Sequence, residues 1–133
     1  MTQRKVYNIT QHELIDAYAS LSVLASKQLP GPIALRCAQN LRLLQPLKEA
    51  YDDTARLLQS QAASRDQNGE IIKTRHGISI KDPEAYRNQI DELRKEMVSV
   101  ELYDIDITAI VDKAESIEPA ALAGLLFMFD GES

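Results

Sequence analysis

Apolar or small side chains recur at Cys37, Leu41, Leu44, Leu47, Tyr51, Ala55, Leu58 and Ala62, at intervals of 4, 3, 3, 4, 4, 3 and 4. The mean spacing is close to the ~3.6 residues of one α-helical turn, so it predicts one helix of about 30 residues with an apolar stripe along one side. No other feature limits the fold as strongly. A helix of that length cannot bury its stripe alone, so the remaining chain must supply elements that pack along it. Pro32 suits its first turn, where the missing N–H costs nothing. Pro46 removes a backbone bond inside it and predicts a kink over residues 42–46.

The first partner precedes it. Thr10 and Glu13 fit an S/T-x-x-E capping box, and Ile9 and Leu14 occupy the positions of a hydrophobic staple. Leu14, Ala17, Leu21, Leu24 and Gln28 then step by three and four, predicting a helix to about residue 28. Leu29-Pro-Gly-Pro32 ends it, so two long antiparallel helices form a helical hairpin. Before the capping box, Lys5-Val-Tyr-Asn-Ile9 is a short β-prone run.

Residues 63–81 change character. Asp66-Gln-Asn-Gly69 predicts a turn, and Glu70–Thr74 and Ile78–Lys81 flank His76-Gly77 as a small hairpin or a mobile loop insert. Asp82-Pro83 restarts a helix whose stripe is Tyr86, Ile90, Leu93 and Met97, set against the helical hairpin. In the following VSVELYDIDITAI (98–110), the apolar positions are even up to Leu102 and odd from Tyr103. Either a bulge reverses the faces of one strand, or the third helix continues to about residue 100 and only Leu102–Ile107 is extended. In both cases the partner is the run Lys5–Ile9. Glu118-Pro119 opens a short apolar C-terminal helix. The expected class is mostly α within α+β: a long helical hairpin, a third helix, a two- to four-stranded antiparallel sheet with strands at 5–9 and 100–107, and a terminal helix. The 133 residues suit one domain.

Composition excludes several functional classes. With 44% hydrophobic and 26% charged residues, a soluble folded chain is expected. No run approaches the roughly 18 apolar residues of a spanning helix. MTQRKVYNIT lacks the apolar region of a signal peptide. The single cysteine, Cys37, suits a reducing cytoplasm and lies on the stripe as a buried, inert thiol. The net charge of −5 argues against nucleic acid as the main ligand. Residues 1–81 carry 11 Lys and Arg against 7 Asp and Glu, whereas residues 82–133 carry 4 against 13. Such halves either pack together and cancel, associate head to tail, or leave an acidic surface for a basic partner or for mimicry of nucleic acid.

Candidate chemistry is sparse. Asp104 and Asp106, two apart, would share one side of a strand, as a divalent-metal site requires, but no phosphate cradle or histidine cluster accompanies them. Acids alternating on an edge strand also discourage pairing between molecules. The two histidines, His12 and His76, lie on a helix start and in a turn, and no spacing joins them into a metal site or a triad. No catalytic, metal or cofactor residues are therefore assigned. Residues suited to contact with a partner are Glu101, Asp104 and Asp106 on the acidic strand, Arg36 and Arg42 on the basic side of the long helix, and Phe127 and Phe129 in the terminal run AALAGLLFMF. That run is apolar nearly all round, so it either plugs the core or offers a face to an oligomer or partner.

The order of these features resembles an uncharacterised family of small tailed-bacteriophage (prophage) proteins. The resemblance rests on Asn8-Ile-Thr with Glu13-Leu14 and Ala17-Tyr18, then Leu21 and Leu24 before Leu29-Pro30, then Asn40-Leu41. It continues through Asn68-Gly69, Glu92-Leu93 and Val100-Glu-Leu-Tyr-Asp-Ile-Asp-Ile107 to the Pro-initiated C-terminal helix, and so spans nearly the whole chain. It implies a phage origin and a fold kept for binding, and it carries over no catalytic residues. The expected function is a non-enzymatic, virion-associated or assembly accessory protein. It would bind itself, a phage structural protein or a host protein, in the host bacterial cytoplasm or the virion. The alternative is an inhibitor of a host enzyme or anti-phage defence complex working through the acidic half. A metal-dependent enzyme at Asp104 and Asp106 is the third reading.

Overall fold

Helix starts in this chain follow directly from local chemistry. The Thr10 hydroxyl accepts from the backbone N–H of Glu13 at 3.1 Å, and the Glu13 carboxylate accepts from the backbone N–H of Thr10 at 3.0 Å. Both halves of the capping box are therefore made, and the staple residues Ile9 and Leu14 are both buried. Asp82 caps the later helix by accepting from Ala85 N–H at 3.1 Å, with Pro83 in the first turn.

The computed structural model describes residues 4–27, 29–105 and 120–130, with side chains in the last segment at 122–128. The elements in order are β1 (Arg4–Thr10), α1 (Gln11–Ala25), α2 (Gly31–Ala62), β2 (Lys73–Thr74), β3 (Gly77–Ile78), α3 (Pro83–Lys95) and β4 (Met97–Tyr103). Two short turns of helix follow, α4 (Ala120–Ala123) and α5 (Leu126–Asp130). The class is α+β, dominated by the 32-residue α2, with two small antiparallel sheets, β1–β4 and β2–β3.

The long helix continues through Pro46, in accord with its stripe. The first helix stops at Ala25 rather than near residue 28. There the Ser26 hydroxyl donates to the Val23 carbonyl at 2.6 Å, a local bond that competes with helix continuation.

Segment 63–81 takes the hairpin form. Asp66 Oδ1 accepts from the N–H groups of Asn68 and Glu70, and Gly69 supplies the positive φ of 79° that the turn requires. Backbone bonds from Ser64 to Ser79 (2.7 Å) and from Lys81 to Ala62 (3.0 Å) tie the excursion to the end of α2.

The largest boundary difference concerns the segment with the phase change. The third helix does not continue to residue 100, because Glu96 adopts an extended ψ of 136° and β4 begins at Met97. All seven β4 residues pair with β1 in one uninterrupted register, from Thr10↔Met97 to Arg4↔Tyr103. There is accordingly no bulge. Val98, Val100 and Leu102 keep one phase throughout, and the change at Tyr103 marks where the chain leaves the ladder. Met97, the expected last member of the helical stripe, is 61% exposed as a result.

The core joins one face of β1–β4 to α1 and the first part of α2. It holds Ile9, Leu14, Leu21, Leu24, Cys37, Leu44, Val100 and Leu102, and it is closed by Leu125 and Met128. Ser20 and Gly124 let the C-terminal turn approach α1. The Gly124 N–H donates to the Ser20 hydroxyl at 3.0 Å, and a Cβ at Gly124 would collide with the Asp16 carbonyl.

Candidate functional site

Several of the residues singled out from sequence meet at the open end of the β1–β4 sheet. Tyr103 ends β4, and two guanidinium groups lie near its ring, Arg36 at 5.0 Å and Arg4 at 5.9 Å from its centroid. Arg36 also donates to Gln39 Oε1 at 2.8 Å. Glu101 pairs with Arg4 at 3.6 Å across the sheet. Asp104 lies just past the strand, exposed, 3.7 Å from the Lys5 ammonium, and accepts from the Tyr7 hydroxyl at 3.5 Å. The Tyr7 ring packs edge-on against Phe127, 5.4 Å between centroids. Arg42 is exposed on α2. Asp106 and the side chain of Phe129 lie outside the described residues.

These contacts give the acidic strand a structural occupation. Glu101 and Asp104 face the basic β1, so in this part of the molecule the two oppositely charged halves pack together. Such exposed pairs are individually weak, and they hold register more than they stabilise.

Asn40, which the sequence reading used only for its place in the order of motifs, secures this end of the sheet. It is fully buried; its amide donates to the Tyr103 carbonyl at 3.0 Å and its carbonyl accepts from the Tyr103 N–H at 2.8 Å. Both backbone groups of one strand residue point to the same side, so Asn40 substitutes for a neighbouring strand along the outer edge of β4. A polar residue in the middle of an apolar stripe is the signal that identifies such a role.

Burial has changed the chemistry of Cys37. Desolvation pushes its thiol up from 9.0 to about 11, which disfavours the reactive thiolate. Among the described residues, no group of three or more His, Cys, Asp or Glu side chains converges as a metal site. His12 is exposed beside Asp16 at 3.4 Å, and His76 is exposed at the turn between β2 and β3.

The second feature of the surface lies at the other end of α2. An open groove of about 490 Å³ runs between α2 and α3. Its floor is formed by Tyr51, Ala55, Ile80, Tyr86 and Ile90, all half-buried, and Arg87, Asp91 and Arg94 form its rim. The buried residues of α2 are Ile33, Cys37, Asn40 and Leu44, all in its first half, and α3 has none. Among the described residues, the stripe therefore continues past the elements that cover it. Sequence reasoning placed Tyr86 and Ile90 against the helical hairpin correctly but did not anticipate the groove. The available signal was length: α1, at 15 residues, reaches along less than half of α2.

Comparison with protein-family models, curated proteins and solved structures finds no match to this chain. No helix among the described residues is long and apolar enough to cross a membrane.

Proposed function

We propose that this chain is a small phage-encoded protein that acts by contact with another protein and catalyses no reaction. Its role in this reading is that of a virion-associated or assembly accessory protein, made in the host cytoplasm and carried into, or acting on, the particle. The observation that supports binding is the α2–α3 groove, a half-buried apolar surface with charged residues at its margin. Contiguous surfaces of this kind mark interaction sites on folded proteins. The phage setting is supported by the resemblance carried by the capping box, the Leu29-Pro30 turn, Asn68-Gly69 and the strand Val100–Tyr103.

The alternative, an inhibitor using the acidic half, draws less support because Glu101 and Asp104 are already engaged by Arg4 and Lys5. Particles purified from an infected or induced host test the main reading. The chain is expected to copurify with mature virions or assembly intermediates, or to self-associate in light scattering. A monomer absent from all particle fractions would overturn it.

A further inference from the structure

We infer that the α2–α3 groove receives one amphipathic helix of a partner protein, with apolar side chains in the groove and two carboxylates spaced to meet Arg87 and Arg94. This inference rests on the protein-binding reading and specifies the partner's chemistry.

The geometry has three parts. First, the buried residues of α2 all lie in its first half, whereas Tyr51 and Ala55 of its second half face the groove beside α3, which also touches α1. Among the described residues, the second half therefore resembles a helical layer lacking one member, and a helix laid into the furrow would complete it. Second, the floor has the required composition. Tyr51 and Ala55 from α2 and Tyr86 and Ile90 from α3 are spaced at four residues, so each pair presents a ridge against which a third helix packs. Third, the rim selects the charge of the occupant.

Arg87 and Arg94 are seven residues apart, so they stand on one side of α3 about 10 Å from each other. Among the described residues no carboxylate lies within ion-pair distance of either guanidinium, not even Asp91 between them. Carboxylates seven positions apart on the incoming helix would reach both. Asp91 disfavours a continuous acidic run, which narrows the pattern to two separated acids. A second copy of this chain is a poorer occupant. Two-fold docking through this patch would bring its net positive rim against itself.

The probe is a pair of synthetic helical peptides of about fifteen residues, each with leucines along one stripe. One carries two flanking glutamates seven positions apart, the other lysines at the same places. Fluorescence anisotropy at low and physiological salt is expected to show the glutamate peptide binding at least about tenfold more tightly, with the difference shrinking as salt rises. The double variant Arg87→Glu/Arg94→Glu is expected to reverse the preference. Arg75→Glu, exposed at the turn between β2 and β3 and outside the groove lining, is expected to leave it unchanged. Circular dichroism of each variant checks that the fold persists.

Equal affinity for both peptides, or no binding of either, would overturn the inference. So would a dimer disrupted by the double variant, which would make a second copy the occupant. An Ile90→Cys variant that resists thiol reagents in the free monomer would show the groove filled by this chain itself, with the same result. Particle association that survives the double variant while the glutamate peptide fails to bind would sink the groove inference and leave the protein-binding reading standing. Loss of particle association by the wild-type chain would sink the broader reading.

Discussion

The two halves of α2 show how one sequence pattern produces two physical outcomes. In the first half, Cys37 and Leu44 are fully excluded from solvent, Asn40 is locked onto β4, and α1 and the sheet close over the helix. In the second half, Tyr51, Ala55 and Leu58 continue the same spacing, yet each remains partly exposed. Periodicity identifies the face available for burial; it does not state whether the chain has enough material to cover it. The first half is core, whereas the second is a surface with the chemistry of a core.

Truncations test that contrast most strongly. Leu44→Ala should cost about 3 kcal/mol, since it removes a fully buried side chain and leaves a cavity, whereas Leu58→Ala should cost about 1 kcal/mol or less. Denaturant unfolding of both variants measures the difference. Equal losses would show that the second half is as well covered as the first.

The next largest effect depends on pH. The folded state holds Cys37 as the neutral thiol, with its pKa raised from 9.0 to about 11. Its contribution is intact below the unfolded value and is lost as pH climbs from about 9 towards 11. The loss should reach about 2–3 kcal/mol, and a Cys37→Ala protein should lack this part of the slope. Comparing the two pH profiles isolates the thiol from other groups that titrate in the same range.

Asn40→Ala strips the Tyr103 N–H and carbonyl of their partner and should cost about 2 kcal/mol. Amide exchange should accelerate at Tyr103 before it changes in α3, because the damage falls on the sheet half. The smallest effect is expected at the caps. Thr10→Ala and Asp82→Ala should each cost about 1 kcal/mol, since a cap acts on its own first turn and does not depend on how thickly the rest is packed. A much larger loss at Thr10 would mean that the capping box also holds β1 against α1.

Features decided by neighbours in the chain were legible in the sequence. The capping box at Thr10 and Glu13, the Asp82-Pro83 start, the Asp66–Gly69 turn and the α2 stripe each follow from contacts within a few residues. The end of α3 was less legible because the stripe Tyr86, Ile90, Leu93 is compatible with helix up to Met97 and beyond. Pairing with β1 decided it, by drawing all of Met97–Tyr103 into one ladder. The partner-contact residues were the least legible. Charge and exposure marked Arg36, Glu101 and Asp104, but each has a counterpart far away in sequence: Tyr103, Arg4 and Lys5.

By itself, the sequence determined where helices begin, which sides of them are apolar, that a long α2 needs partners, and that the chain is acidic in its later part. These follow from short-range sterics, hydrogen bonding and periodicity. Only the tertiary structure decided that Asn40 completes the edge of β4, that Glu101 and Asp104 meet basic β1, and that burial along α2 ends at Leu44. Each of those depends on which distant surfaces come together and how far they reach. The groove beside Arg87 and Arg94 is the consequence: among the described residues, an apolar stripe extends past the elements that cover it.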